Sequence, residues 1–349
     1  MANNTGKTTI YDIAILSGAS PSTVSAVLNG TWARRRIGKS TVATIQKIAA
    51  EQAYSTNLQA RGLRQARSGL VGMIIPIHDN RFFSSLSQNF DFQSRERGFC
   101  PVIASTLRNP VEEKRIVETL ISYAVDVLFI AGATDPEQLG ALCTGAGLRH
   151  IFIDLPGKDA PSVVTNNYSG AQQLTRRILS ATQSKHGTAH IKPYFLGGSI
   201  RDYATAQRIA AFCQTVKDTG SPAGGDQIIQ CGYAPRSAAE AISQLCDKLG
   251  GLPACLFINS LTAFEGVMSY FISLPASAFT GSAIGCFGYD PFAAFLQFLV
   301  FMVRQNSFQL IAKAYELLDS KETRPVMLEI EPELVEPRTF AKQSLGELG

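Results

Sequence analysis

The sequence predicts a small all-helical head joined to a larger α/β body built in two similar halves. Three observations lead there. Two short helical segments near the start are separated by Ser17-Gly18-Ala19. After residue 68, short apolar runs alternate with helical stretches. The same alternation restarts after Gly170. At 349 residues the chain is too long for one ordinary domain. Its 45% hydrophobic and 17% charged composition suits a large buried core and not a disordered chain.

The head begins with a helix over Thr8–Leu16, where Ile10, Ile13 and Ala14 share one face. A second helix lies within Ser20–Gly30. Ser20 supplies an N-cap, Pro21 fits the first helical position, and Asn29-Gly30 closes the end. Val24, Val27 and Leu28 form its inward stripe, which leaves Ser22, Thr23, Ser25 and Ala26 facing outward. A third helix over Lys39–Gln52 closes the small core with Val42, Ile45, Ile48 and Ala49. Two such helices around a glycine-containing turn make a helix-turn-helix, whose second helix enters the DNA major groove. A plain three-helix bundle is the alternative.

Charge supports the first reading. Residues 1–67 hold nine Lys/Arg against Asp12 and Glu51, a net of +7 that leaves the rest of the +4 chain at −3. A basic head on a mildly acidic body is the footprint of a protein that sets one end on a polyanion.

In the body, Leu70–Pro76, Pro101–Ser105, Val127–Ala131 and His150–Asp154 read as buried parallel strands, with helices near Phe83–Arg97 and Val111–Tyr123 between them. The second half repeats the pattern. Its strands fall near Pro193–Gly198, Gln227–Cys231, Ala254–Ile258 and Ala283–Phe287, with a helix around Thr205–Lys217. Alternation of this kind implies doubly wound sheets, whose ligands bind at strand carboxyl ends. The run from Phe292 to Val303 is too short to span a bilayer and is interrupted by Gln297, so it is read as buried core. A polar start with no apolar leader places the chain in the cytoplasm.

Several chemistries are excluded. The seven scattered cysteines include no CxxC pair, so neither a disulfide framework nor a zinc site is expected. His78, His150, His186 and His190 form no metal-spaced set, and no cofactor or catalytic constellation emerges. Gly197-Gly198 and Gly224-Gly225 make neither a phosphate loop nor a dinucleotide fingerprint. A cytoplasmic sugar-binding or sugar-modifying protein without DNA function stands as the alternative, and it leaves the basic head unexplained.

Thr9-Ile10-Tyr11-Asp12-Ile13-Ala14, Gly18-Ala19-Ser20, Thr23-Val24-Ser25, Leu28-Asn29-Gly30 and Thr41-Val42, followed by Tyr54 and Asn57–Leu63, resemble the LacI/GalR family of transcription regulators over essentially the whole chain. The basic loop Thr31–Ile37 and the stretch from Phe295 to Gln305 look closest to the fructose/sucrose repressor (catabolite repressor-activator) branch. The resemblance implies a head over residues 1–56, a hinge helix over 57–67, and a periplasmic-binding-protein-like core over 68–349. Within that core, the N-subdomain takes about 68–164 and 290–325, and the C-subdomain about 165–289 and 326–340. It also implies a homodimer on a near-palindromic operator, switched by a sugar or sugar phosphate.

DNA contacts are then expected from Thr9, Ser20, Pro21, Ser22, Thr23, Ser25, Ala26, Asn29, Arg34, Arg35 and Arg36 on the head, and from Asn57, Ala60, Arg61 and Leu63 on the hinge. Leu63 matches a leucine that wedges into the minor groove. Pro21, Ala26 and Thr56 depart from the common family pattern, and the first two mean that the operator cannot be copied from relatives. Ala26 retains a possible contact with a thymine methyl.

Strand ends and the family pattern together point to Asp79, Phe83, Asp154, Arg208, Ser260, Asp290 and Gln305 as ligand residues. Carboxylates and amides suit vicinal hydroxyls, whereas an arginine fork suits an anion. Asp79, Asp154 and Asp290 could instead be helix caps. Leu261 stands where many relatives carry an acid.

Overall fold

A computed structural model describes residues 8–54, 67–186, 191–220, 223–320 and 324–338. The chain divides into two compact units, Met1–Ser68 and Gly69–Gly349.

In the first unit, α1 (Ile10–Ser17) opens with a reciprocal cap between Thr9 and Asp12. The Asp12 amide donates to Thr9 Oγ1, and the Thr9 amide donates to Asp12 Oδ2 at 2.8 Å. Gly18 ends the helix in the left-handed region, at φ 66°. Helix α2 (Pro21–Leu28) follows on the Ser20 N-cap, and α3 (Lys39–Glu51) completes the trio. Ile13, Val24, Val27, Val42, Ile45 and Ala49 make its core.

The second unit holds two six-stranded sheets. In the first half, β1 (Leu70–Ile75), β2 (Cys100–Ser105), β3 (Val127–Ala131), β4 (His150–Ile153) and β5 (Ser162–Thr165) alternate with α4 (Arg81–Glu96), α5 (Pro110–Ser122) and α6 (Pro136–Gly145). After α7 (Asn167–His186) come β6 (Pro193–Leu196), α8 (Tyr203–Asp218), β7 (Ile228–Ile229), α9 (Pro235–Leu249), β8 (Cys255–Ile258), α10 (Leu261–Phe271) and β9 (Ala283–Phe287). The chain then makes β10 (Val300–Arg304), α11 (Ser307–Asp319), β11 (Met327–Ile330) and β12 (Glu333–Val335).

The first sheet runs β11-β5-β4-β3-β1-β2, and all its pairings are parallel. The second runs β12-β10-β9-β8-β6-β7, with only the β10–β12 pairing antiparallel. The central strands β3, β4, β6, β8 and β9 are buried throughout and so are apolar without alternation, whereas the late strand β11, Met-Leu-Glu-Ile, alternates exposed and half-buried residues. Phe90, Phe129 and Tyr315 pack together beside the first sheet, and Phe195, Phe212 and Phe257 beside the second.

The chain passes between the sheets three times, at residues 165–167, 304–307 and 330–333. This revises two expected boundaries. Val300–Arg304 joins the second sheet by pairing with β9, so residues 290–304 do not belong with the first half. Met327–Ile330 joins the first sheet by pairing with β5, so it does not belong with the second half. An apolar strand looks the same from the sequence whichever sheet it enters.

The run from Phe292 to Val303 is also only partly buried. Val300, Phe301 and Met302 lie in the core, but Phe292 and Phe295 are 69% and 72% exposed. They sit on a 3-10 turn, Pro291–Phe295, in which residues three apart eclipse and so point the same way. Among the described residues, no helix is long and apolar enough to cross a membrane. All seven cysteines are free thiols. No described cluster of His, Cys, Asp and Glu could hold a metal.

Candidate functional site

The carboxyl ends of both sheets face one cavity of about 80 Å³. From the first half, Asn80, Phe83, Arg108, Gly132 and Asp154 line it; from the second come Asp202, Arg208, Tyr233, Ser260 and Phe287. Gln305 closes it from the second crossover and donates its amide to Thr165 Oγ1 on the first crossover at 2.9 Å.

Arg208 is 5% exposed and held rigidly. Its Nε donates to Asn167 Oδ1 at 2.9 Å, and Nη1 donates to the Asn259 carbonyl at 2.7 Å. The guanidinium carbon stands 3.7 Å from the centre of the Phe287 ring. Burial depresses its pKa, while neighbouring Tyr233, Asp154 and Asp202 push the other way.

A directed hydrogen-bond chain runs beside it. Asn259 Nδ2 donates to Thr205 Oγ1 at 3.0 Å, the Thr205 hydroxyl lies 2.8 Å from the Tyr233 hydroxyl, and Tyr233 donates to Asp202 Oδ2 at 2.8 Å. Because an ionised carboxylate only accepts, the chain has one sense, from Asn259 to Asp202. Asp202 Oδ1 meanwhile caps α8 through the Thr205 amide. Burial, then the Asp202 charge, raises the Tyr233 phenol to about 12.

Asp154 follows β4 with φ 72°, a conformation that aspartate tolerates better than most residues. It is 9% exposed. Burial drives its pKa up to about 6, against the opposing pull of Arg208 and Arg108 and a hydrogen bond from Gln305. Arg108, itself at φ 55°, reaches from the first half to lie 4.8 Å over the Tyr233 ring of the second.

Five expected ligand residues thus meet at one cavity: Phe83, Asp154, Arg208, Ser260 and Gln305. Ser260 also caps α10 through the Ala263 amide. Two others do not join them. Asp79 and Asp290 line a separate, wider groove of about 660 Å³. There Asp290 accepts from Arg81 Nε at 3.1 Å and caps the 3-10 turn through the Phe292 amide at 2.9 Å. Both its oxygens are engaged, so the capping role expected as an alternative is the one observed. Leu261 borders both spaces.

On the head, Thr9, Ser20, Pro21, Ser22, Asn29, Arg34, Arg35 and Arg36 are exposed, while Thr23 and Ser25 are half-buried. Ser20 Oγ lies 2.9 Å from both Ser22 Oγ and Thr23 Oγ1, so the three hydroxyls form one cluster at the start of α2. Ala26 is a correction. It is 4% exposed and does not face outward. The chain after Gly30 turns back, and Thr31 donates both its amide (2.9 Å) and its hydroxyl (3.3 Å) to the Ala26 carbonyl. Helical spacing alone shows the α2 stripe but not this returning loop. Asn57, Ala60, Arg61 and Leu63 lie outside the described residues.

Residues 9–57 match the family described as "Bacterial regulatory proteins, lacI family". The chain is 42% identical over 215 residues to the ribitol operon repressor of Klebsiella aerogenes, which covers 61% of this chain and 79% of that protein. It is 30% identical over 323 residues to the sucrose operon repressor of Klebsiella pneumoniae, with 90% and 92% of the two chains covered. The chain belongs to the LacI family. Among solved structures, the lac repressor dimer bound to operator and the anti-inducer ONPF matches with a TM-score of 0.79 at 16% identity, covering 96% of this chain and 99% of that one. That likeness establishes a LacI-type fold from head to core.

Among the wall residues of this LacI-family cleft that the sequence did not mark are Arg108, Asp202, Tyr233 and Phe287. Phe287 is only 1% exposed, so it belongs to the core while its ring face backs Arg208. Arg108 and Asp202 each follow a strand end, the signal that pointed to Asp154. Tyr233 follows a strand of only two residues, too short for any periodicity to mark.

Proposed function

We propose that this LacI-family chain is a cytoplasmic, homodimeric, sequence-specific DNA-binding repressor whose operator affinity is set by a sugar or sugar phosphate held between the two sheets. The observation that supports it best is the pairing, in one chain, of a helix-turn-helix with exposed hydroxyls and arginines and a cavity built around Arg208 and Asp154. Phe292 and Phe295, exposed side by side on the 3-10 turn, support a surface that a second copy covers. Paired heads imply a near-palindromic operator.

The switch is a linkage. A ligand touching both walls of the cavity binds the closed arrangement of the sheets better than an open one. Whichever arrangement suits DNA, operator affinity must then change by the same factor as ligand affinity. Induction is the expected sign. Leu63 is proposed to wedge into the minor groove at the operator centre, which kinks the duplex.

The test is fluorescence anisotropy on palindromic fragments from beside the protein's own gene. Affinity should fall steeply with salt, and sugars should release the DNA from the wild type but not from Arg208→Ala. Salt-insensitive or fragment-independent binding refutes the regulator reading. Sugar release that survives the substitution refutes the assignment of the cavity.

A further inference from the structure

The charged residues around the cavity are two arginines and two aspartates, Arg108, Asp154, Asp202 and Arg208, so with both carboxylates ionised its formal charge is zero. Whether the buried Arg208 can clasp an anion then depends on how many edges of its own guanidinium remain open. Phosphate and carboxylate groups are recognised bidentately, by two neighbouring nitrogens of one fork. At Arg208 two of the three nitrogens already donate within the protein. The single Nε hydrogen goes to Asn167 Oδ1 at 2.9 Å, which closes the Nε–Nη2 edge. Nη1 donates to the Asn259 carbonyl at 2.7 Å and approaches Asn259 Oδ1 at 3.5 Å, so this nitrogen too is engaged within the protein. One face of the group is covered by Phe287. What this leaves matches a lone hydroxyl oxygen.

Arg108 lies over two aromatic rings, 4.8 Å from the centre of Tyr233 and 6.0 Å from that of Phe83. Its charge acts on Asp154. Asp154 is nine-tenths buried and, when ionised, purely an acceptor. A carboxylate in that position attracts hydroxyl donors and repels a phosphate. Asp202 adds a second negative charge from the opposite wall.

We propose that the cleft takes an uncharged polyhydroxylated ligand, a free sugar or polyol, and discriminates against its phosphate esters. The inference rests on the reading of this cleft as the effector site. Asp154 accepts from ligand hydroxyls, Arg208 donates once to a ligand oxygen, and the two aspartates act as the element that rejects an added anion.

The experiment is a thermal-shift and operator-release screen on the full chain. One arm contains ribitol, D-ribose, D-fructose and sucrose. The other contains D-ribose 5-phosphate, D-fructose 1-phosphate and D-fructose 6-phosphate. The expected result is a response to at least one uncharged compound and a response at least about tenfold weaker to every ester. Asp154→Asn, which keeps the fold and an amide in place of the acceptor-only carboxylate, should weaken the uncharged ligand by about tenfold or more. An ester that outperforms every uncharged compound, and that loses its effect in Arg108→Ala, overturns the proposal while leaving the effector reading intact. An uncharged ligand unaffected by Asp154→Asn overturns the assigned contact and with it the proposal. A flat response in both arms overturns the effector reading itself, and this inference falls with it.

Discussion

Asp154→Asn should make the ligand-free protein more stable, by an amount that depends on pH. Burial holds the Asp154 carboxyl up to about 6, against an ordinary value of 3.8. Below the lower value both the folded and unfolded chains carry the proton, and burial costs nothing through ionisation. As pH rises from 3.8 toward 6, the unfolded chain releases the proton while the folded chain keeps it, so folding loses stability across that window. Above it the loss is constant. Two units at about 1.4 kcal/mol each set a ceiling of roughly 3 kcal/mol near pH 7.5, falling to about 1 kcal/mol near pH 4.5.

Asparagine is close in shape to the protonated acid and tolerates the left-handed φ of 72° at this position. The variant should therefore gain up to roughly 3 kcal/mol near neutral pH, a rise in Tm of up to about 6–12 °C for a unit of this size. Urea unfolding of both proteins at two pH values is the assay. A gap between them that does not widen with pH, or a variant less stable than the wild type near pH 7.5, would falsify the reasoning. The gain is the expected signature of a carboxylate kept for function at a cost in stability.

Replacing Arg34, Arg35 and Arg36 with glutamine should flatten the dependence of log affinity on log salt by about 0.9 for each phosphate contact removed, as read from anisotropy titrations; an unchanged slope means that the loop does not touch DNA. Ser20→Ala removes the oxygen that accepts from the Thr23 amide and gathers the hydroxyl cluster of α2. It should lower the stability of the head by about 1 kcal/mol, seen as a drop in its unfolding midpoint. Gly266→Ala would place a methyl against the backbone carbonyl of Pro235, where α9 crosses α10. A loss of about 1–3 kcal/mol is expected, and an unchanged Tm would show that the two helices separate easily.

Much of this protein is legible one segment at a time. The Thr9–Asp12 cap, the Ser20-Pro21 helix start and the apolar strands each depend on residues within a turn or two of one another, so their types and spacing suffice to place them. Arg208, Asp154 and Ser260 could be found because strand ends mark the ligand side of a doubly wound sheet. Asp79 and Asp290 satisfied the same rule and still fell outside the cavity. A strand end fixes the side of the sheet but not which of two neighbouring hollows a side chain enters. The return of Thr31 onto Ala26 was hidden because no periodicity reports on a loop folding back.

What the sequence alone determined, then, is the kind of molecule: a basic helix-turn-helix head with two α/β halves whose central strands are covered on both faces. Tertiary structure decided the rest of the site. Arg108 meets Tyr233 and Gln305 meets Thr165 across the two halves, Arg208 meets Asn167 and Asn259 within one, and strands β10 and β11 each pair in the half opposite to the one expected. The physical reason is that helix and strand patterns follow from near neighbours along the chain. The cleft follows from which strands pair, and apolar runs of equal length carry no address for the sheet they join.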